Sequence, residues 1–250
     1  MPHSTTAQHT QSKAHIAVGG YNVLKTTATE LAHTLLKPRA LGRPAILFFA
    51  NTNFVVQCRH LQPQMEQAGA TIVNDGVGMA IAARLTQGNS FPENLNGTDF
   101  LPHLFRQSPA PLRIFLVGGK PQVLERAAAY ATRQLHQTVV GTCDGYAGMQ
   151  NLRHLIDSIN QAQADVVLVA LGNPLQEKWI LEHYPQLQVR LVTGVGALFD
   201  FWAGDKPRAP RFIQKIRMEW FYRLCLEPKR LARRYTIDIV QFLLLCFRYR

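Results

Sequence analysis

Asp75 is the carboxylate best placed to act as an acid or a base. It follows the apolar run Ala70 to Val73 and lies within Asn74-Asp75-Gly76-Val77-Gly78. A carboxylate partly shielded at such a strand end can accept a proton from a hydroxyl nucleophile. It can equally cap the helix expected from about Gly78. Asp144, in Asp144-Gly145-Tyr146, carries the same two readings. Gly118-Gly119-Lys120 and Gly172-Asn173-Pro174 supply two further turns of this kind. Glycines there let backbone N–H groups approach a ligand, and helix N-termini favour anions such as a diphosphate. Any α/β protein needs tight turns, but four in one chain point to a nucleotide or sugar-phosphate site. None matches the phosphate loop GxxxxGK followed by Ser or Thr, or the dinucleotide pattern GxGxxG. Lys120 can pair with a phosphate or stand solvated on its loop.

The stretch from Ala164 to Trp179 joins the clearest strand to the clearest helix start. Its apolar, β-branched beginning reads as a strand buried on both faces. Gly172 ends it, Asn173 can cap a helix, and Pro174 suits a first helical position. Gln176 lies three residues after Asn173, which is capping-box spacing. Its amide can therefore close the cap or bind a ligand. Nine histidines are present, but none forms HExxH or a close pair. No Asp-x-Asp pair or Ser/His/Asp order stands out. The expected site uses neither metal nor cofactor.

The elements that would position these residues alternate along the chain. His15 to Asn22 reads as a short strand or turn broken at Gly19-Gly20, and Thr26 to Leu36 as a helix. Strands are expected at Ala45 to Ala50, Ala70 to Val73, Arg113 to Val117, Thr138 to Gly141, in the apolar run that ends at Gly172, and at Val189 to Val192. Helices are expected at about Phe54 to Gln67, Gly78 to Leu85, Thr98 to Phe105, Pro121 to His136 and Leu152 to Gln161, with another after Pro174. This order predicts an α/β fold, Rossmann-like and doubly wound, with a mainly parallel sheet.

The formal charge of +11 is uneven. Residues 205–250 carry +8 of it, with aromatic residues interleaved among the Lys and Arg. Such a segment suits an anionic membrane face or a nucleic acid. The nearly continuous apolar run Ile237 to Phe247 favours the membrane surface, being too short to span a bilayer. The plain alternative is a C-terminal helix packed on the core. Cys58, Cys143, Cys225 and Cys246 form no CxxC pair, so no zinc site or disulfide framework is expected. Residues 1–14 are polar and read as a disordered tail rather than an export signal, which favours a cytoplasmic setting. The expected organisation is that tail, a core over 15–204 and a basic, amphipathic helical appendage over 205–250.

Taken together, these residues resemble one bacterial glycosyltransferase family. It includes the wall teichoic acid N-acetylmannosaminyltransferases and the enterobacterial common antigen N-acetylmannosaminuronic acid transferases, the WecG/TagA/CpsF group. The resemblance runs from about Ala45 to Tyr235. It is carried by Asn74-Asp75-Gly76-Val77-Gly78, Asn96-Gly97-Thr98-Asp99, Phe115-Leu116-Val117-Gly118-Gly119-Lys120, Asp144-Gly145-Tyr146 and Leu171-Gly172-Asn173-Pro174-Leu175-Gln176-Glu177. It continues through Gly194-Val195-Gly196-Ala197-Leu198-Phe199-Asp200-Phe201, Arg208-Ala209-Pro210, Glu219-Trp220-Phe221-Tyr222-Arg223-Leu224, Glu227-Pro228-Lys229-Arg230 and Arg233-Arg234-Tyr235.

The resemblance implies an inverting transfer of a sugar from a UDP donor to a polyprenyl-diphosphate-linked sugar at the inner face of the cell membrane. It puts the catalytic base on Asp75 and a donor-contacting amide on Gln176. The candidate substrate-binding set is Asn51, Asn53, Gly118, Gly119, Lys120, Asp144, Gly172, Gln176, Glu177 and Asp200. Arg208, Arg217, Arg223, Arg230 and Arg233 are the candidates for the lipid diphosphate and anionic headgroups. Two positions depart from the family pattern: Asn51 replaces a threonine, and Asn94 stands where an arginine is expected. Both touch the sugar region, so the donor is open between a plain hexose such as glucose and N-acetylmannosamine or its uronic acid. Expected partners are the UDP-sugar, the lipid-linked acceptor and an anionic membrane, with no nucleic acid; a homo-oligomer stays open. The rival from another class is a non-catalytic nucleotide- or nucleic-acid-binding protein with a basic tail.

Overall fold

The β-branched, apolar runs become the six strands of one parallel sheet. In a computed structural model, which describes residues 14–37, 43–210, 212–213 and 218–249, they are β3 (Ala45–Ala50), β4 (Thr71–Asn74), β5 (Arg113–Gly118), β6 (Thr138–Cys143), β7 (Val166–Ala170) and β8 (Leu191–Gly194). Their order is β4-β3-β8-β7-β5-β6, and every pairing is parallel. The expected Rossmann-like, doubly wound architecture is therefore present.

A parallel strand covered on both faces needs apolar residues at both parities. In β3, Ile46, Phe48 and Ala50 join one buried cluster, and Ala45, Leu47 and Phe49 join the other. The second cluster is completed by α1 (Ala28–Leu36), α5 (Gly97–Gln107), α6 (Pro121–Arg133) and α9 (Leu198–Trp202). The first cluster takes α2 (Thr52–Gln57), α3 (Gln62–Gln67), α4 (Val77–Gln87), α7 (Leu152–Gln161) and α8 (Leu175–His183). Beyond these come α10 (Glu219–Leu226) and α11 (Pro228–Arg248).

Two expectations change in detail. His15 to Asn22 forms an antiparallel hairpin, β1 (His15–Val18) and β2 (Tyr21–Leu24). Gly19 and Gly20 supply the two positive φ angles, +59° and +92°, that its tight turn requires. The single helix expected over Phe54 to Gln67 is interrupted by a 3₁₀ turn at Arg59–Leu61 and restarts at Gln62. Pro63 explains the restart: it has no N–H to continue an earlier helix, but it fits a first turn.

The C-terminal run packs on the core through one face only. Phe242, Leu245 and Cys246 of α11 are buried in the cluster that holds Val18, Phe54 and Val55. Ile237, Val240, Leu244 and Phe247 are exposed and fall on the opposite face at helical spacing. No helix among the described residues is long and apolar enough to cross a membrane. Residues 1–13 of the expected tail, and Arg217, lie outside the described residues, as do the side chains of Arg223, Arg230 and Arg233.

Phe242→Ala removes a buried ring from this docking face. It should cost about 3–5 kcal/mol of unfolding free energy, measured by chemical denaturation.

Candidate active site

All six parallel strands end on one edge, and the turns that follow them converge there. That edge is where open α/β sheets place ligands. After β7, Gly172 adopts φ +76°, the Asn173–Pro174 peptide is cis, and α8 begins at Leu175. Its N-cap is Pro174 and no side chain caps it, so the expected capping box does not form. The helix starts one residue too late for Gln176 to reach back to its N-cap.

Gln176 instead crosses to the neighbouring turn. Its Oε1 accepts from the Gly196 N–H at 3.0 Å, and its Nε2 donates to Glu177 Oε1 at 2.8 Å. A Cβ on Gly194 would lie 2.7 Å from Gln176 Nε2, so the glycine at the end of β8 makes room for this amide. Both ends of the amide are engaged within the protein, and Gln176 is 4% exposed.

Glu177 is only 1% exposed. Its Oε1 also accepts from Asn173 Nδ2 at 2.9 Å, while Oε2 has no partner among the described residues. Burial pushes its carboxyl above the ordinary carboxylate range. Burial likewise raises the Cys58 thiol and the Tyr21 hydroxyl, and the Glu177 charge adds to both. A buried, low-dielectric knot of Glu177, Cys58 and Tyr21 therefore underlies the β7–α8 turn.

At the outer end of the same edge, Asp75 follows β4. Its N–H donates to the Ala50 carbonyl at 2.7 Å, and its Oδ2 accepts from Asn51 Nδ2 at 3.1 Å. The N-cap of α4 is Gly76, with φ +95°, so the capping reading of Asp75 gives way. Asn51 has a double task, because its Oδ1 also accepts from Phe54 N–H and caps α2. Asn94 accepts from the Gly76 N–H and so steadies the turn that carries Asp75.

A cleft of about 860 Å³ opens over the turns after β3, β5, β7 and β8. Of the sequence-predicted residues, Asn53, Gly119, Lys120, Gly172 and Asp200 line it. Gly118, at φ +108°, lets β5 approach β7 closely; a Cβ there would sit 2.4 Å from the Ala170 carbonyl oxygen. Gln176 and Glu177 lie behind two lining residues, Gly196 and Asn173. Asn51 and Asp75 are not among the lining residues.

Asp144 turns into its own loop, accepting from the Tyr146 and Gly148 N–H groups. It borders a separate cavity of about 530 Å³ with Glu125 and His154. Asp200 pairs with Lys206 at 3.0 Å, and Lys206 also reaches Glu227 at 3.9 Å. Arg208 is paired with Asp99. Sequence reasoning missed Lys206 and Asp238 as cleft residues. Asp238 had a signal, being the single charge within Ile237 to Phe247. No group of three or more His, Cys, Asp and Glu able to hold a metal occurs among the described residues.

Glu177→Gln keeps an acceptor for both neighbouring amides and removes the titrating group. A raised folded-state pKa means that the native chain holds this proton more tightly than the unfolded chain. The associated stability is present below the unfolded value, near the ordinary 4.5, and is lost as pH rises through the folded value. The melting temperature of the wild type should therefore fall relative to Glu177→Gln between mildly acidic and neutral pH. A constant difference across that range would contradict the burial effect.

The family model described as Glycosyl transferase WecG/TagA/CpsF family matches residues 16–250, nearly the whole chain. The matched span contains the hairpin, the parallel sheet, every turn described above and both C-terminal helices. The chain is a member of the WecG/TagA/CpsF glycosyltransferase family.

Proposed function

We propose that this glycosyltransferase moves a hexose or N-acetylhexosamine from a UDP-sugar to a polyprenyl-diphosphate-linked sugar, with inversion, in exopolysaccharide or cell-envelope polysaccharide synthesis. The observation that carries the reading is Asp75, bound by Asn51 Nδ2 at the carboxyl edge of the sheet rather than acting as a helix N-cap. In this reading Asp75 takes the proton of the acceptor hydroxyl. The freed oxygen attacks the anomeric carbon from the face opposite the nucleotide. The bond to the UDP oxygen breaks, UDP leaves with the electron pair, and the proton stays on the carboxylate. One displacement suffices and no covalent enzyme intermediate forms.

The UDP diphosphate lies over the glycine-containing turns, where backbone N–H groups and the Lys120 ammonium supply positive charge. Gln176 acts by holding the Gly196 turn in place. A core over 15–204 and an appendage over 205–250 belong to the same proposal. The exposed apolar face of α11 lies in the surface of an anionic membrane on the cytoplasmic side, with the arginines of the appendage near the lipid diphosphate.

Asp75→Asn should lower turnover at least about a hundredfold while UDP affinity is kept. Near-normal turnover would remove the base assignment, and salt-dependent RNA binding without transfer would favour the non-catalytic rival. Leu244→Ser with Phe247→Ser alters only the exposed face of α11. Each side chain is worth about 1.5–3 kcal/mol on burial, so partition onto anionic vesicles should fall tenfold or more with melting temperature unchanged. Unaltered partition would detach α11 from the membrane role.

A further inference from the structure

Asp238 stands on the inward face of α11, among Leu231, Phe242, Leu245 and Cys246. The packing pattern calls for an apolar residue there. The residue is 7% exposed, and it lines the 860 Å³ cleft. It has no hydrogen bond or ion pair with any described residue. A carboxylate that faces a cleft with no partner of its own is open to the hydrogen-bond donors that a ligand brings.

The other charges of the cleft narrow what that group is. Asp200 is paired with Lys206, and Asp205 with Arg126. That leaves Lys120 and Asp238 as the lining charges without an ion pair among the described residues. A ligand suited to both is anionic at one end and rich in hydroxyl donors at the other. A carboxylate repels a diphosphate but accepts two hydrogen bonds from adjacent hydroxyls.

We propose that Asp238 is a specificity residue that binds a vicinal pair of hydroxyls on the nucleotide sugar, while Lys120 meets its diphosphate. This rests on the reading of the cleft as a nucleotide-sugar site. The diol belongs either to the ribose or to the transferred hexose.

Calorimetric titration of full-length wild type and Asp238→Asn with UDP, UDP-glucose and UDP-N-acetylmannosamine tests the assignment. The Asn variant should bind UDP-sugar at least about tenfold more weakly, the loss of one good charged hydrogen bond. An equal loss for UDP assigns the ribose diol; a loss confined to UDP-sugars assigns the hexose. Melting temperature is read in parallel, and the Asn isostere should melt no lower than the wild type. Asp238→Leu, which suits the apolar face, keeps the test open where the amide does not fold. Wild type that binds these ligands while Asp238→Asn or Asp238→Leu binds them equally well overturns this inference alone. Wild type that binds none of them overturns the nucleotide-sugar reading and this inference with it.

Discussion

The Gln176 amide ties together the turns that follow the two central strands of the sheet. β7 and β8 are neighbours, and each is flanked on its other side by β5 or β3. Their turns form the middle of the carboxyl edge, and backbone hydrogen bonds alone do not fix how the loops beyond the sheet lie. The contact from Gly196 N–H to Gln176 Oε1 fixes one of them. Glu177 then fixes the amide, because only its Nε2 end can donate to a carboxyl oxygen. Asn173 donates to the same oxygen and closes the turn from the other side. Three consecutive features of the chain, a turn asparagine, an amide and a carboxyl, thereby set the floor of the cleft. Gly194 has to be glycine for this to happen, since a side chain there would occupy the place of the amide.

The Asp75 side of the edge is built differently. There the connection runs from a helix cap to a carboxylate, through the two ends of Asn51. A threonine hydroxyl could cap α2 as well, but it could not offer a separate NH₂ donor to Asp75. Asn94 accepts from Gly76 N–H. Both asparagines therefore act on the same turn. They support the backbone and the carboxylate rather than leaving an unfilled space.

Much of this was legible in the sequence because parallel strands buried on both faces leave little ambiguity. Ala45 to Ala50 is apolar at every position and its limits match the observed strand, and the apolar run before Gly172 holds the strand Val166–Ala170. The turns were legible for the same reason: glycine follows each of several strands within a few residues. The role of Gln176 was not legible. Its distance from Asn173 matched a capping box, but the helix begins at Leu175 and rotates Gln176 and Glu177 inward with Trp179 and Ile180. A one-residue difference in helix start turns a surface cap into a buried knot. The partner Gly196 is distant in sequence, so no local pattern could reveal it. The break near Pro63 was visible as a residue type, but apolar spacing across Phe54 to Gln67 concealed it.

The C-terminal helix shows why a choice between core packing and surface contact was too narrow. An eleven-residue run that is apolar almost throughout supplies two apolar faces, not one. Phe242, Leu245 and Cys246 use one face against the hairpin and α2, while Ile237, Val240, Leu244 and Phe247 occupy the other. The inner face alone explains why the helix docks, and it leaves the outer stripe without a structural reason. Asp238 interrupts the inner face where it meets the cleft. A helix made only for packing would carry a leucine at that position. The same element therefore reaches the core, the cleft and the outer surface. Any event that shifts α11 on its outer side is mechanically linked to the wall of the cleft through Leu231 and Asp238.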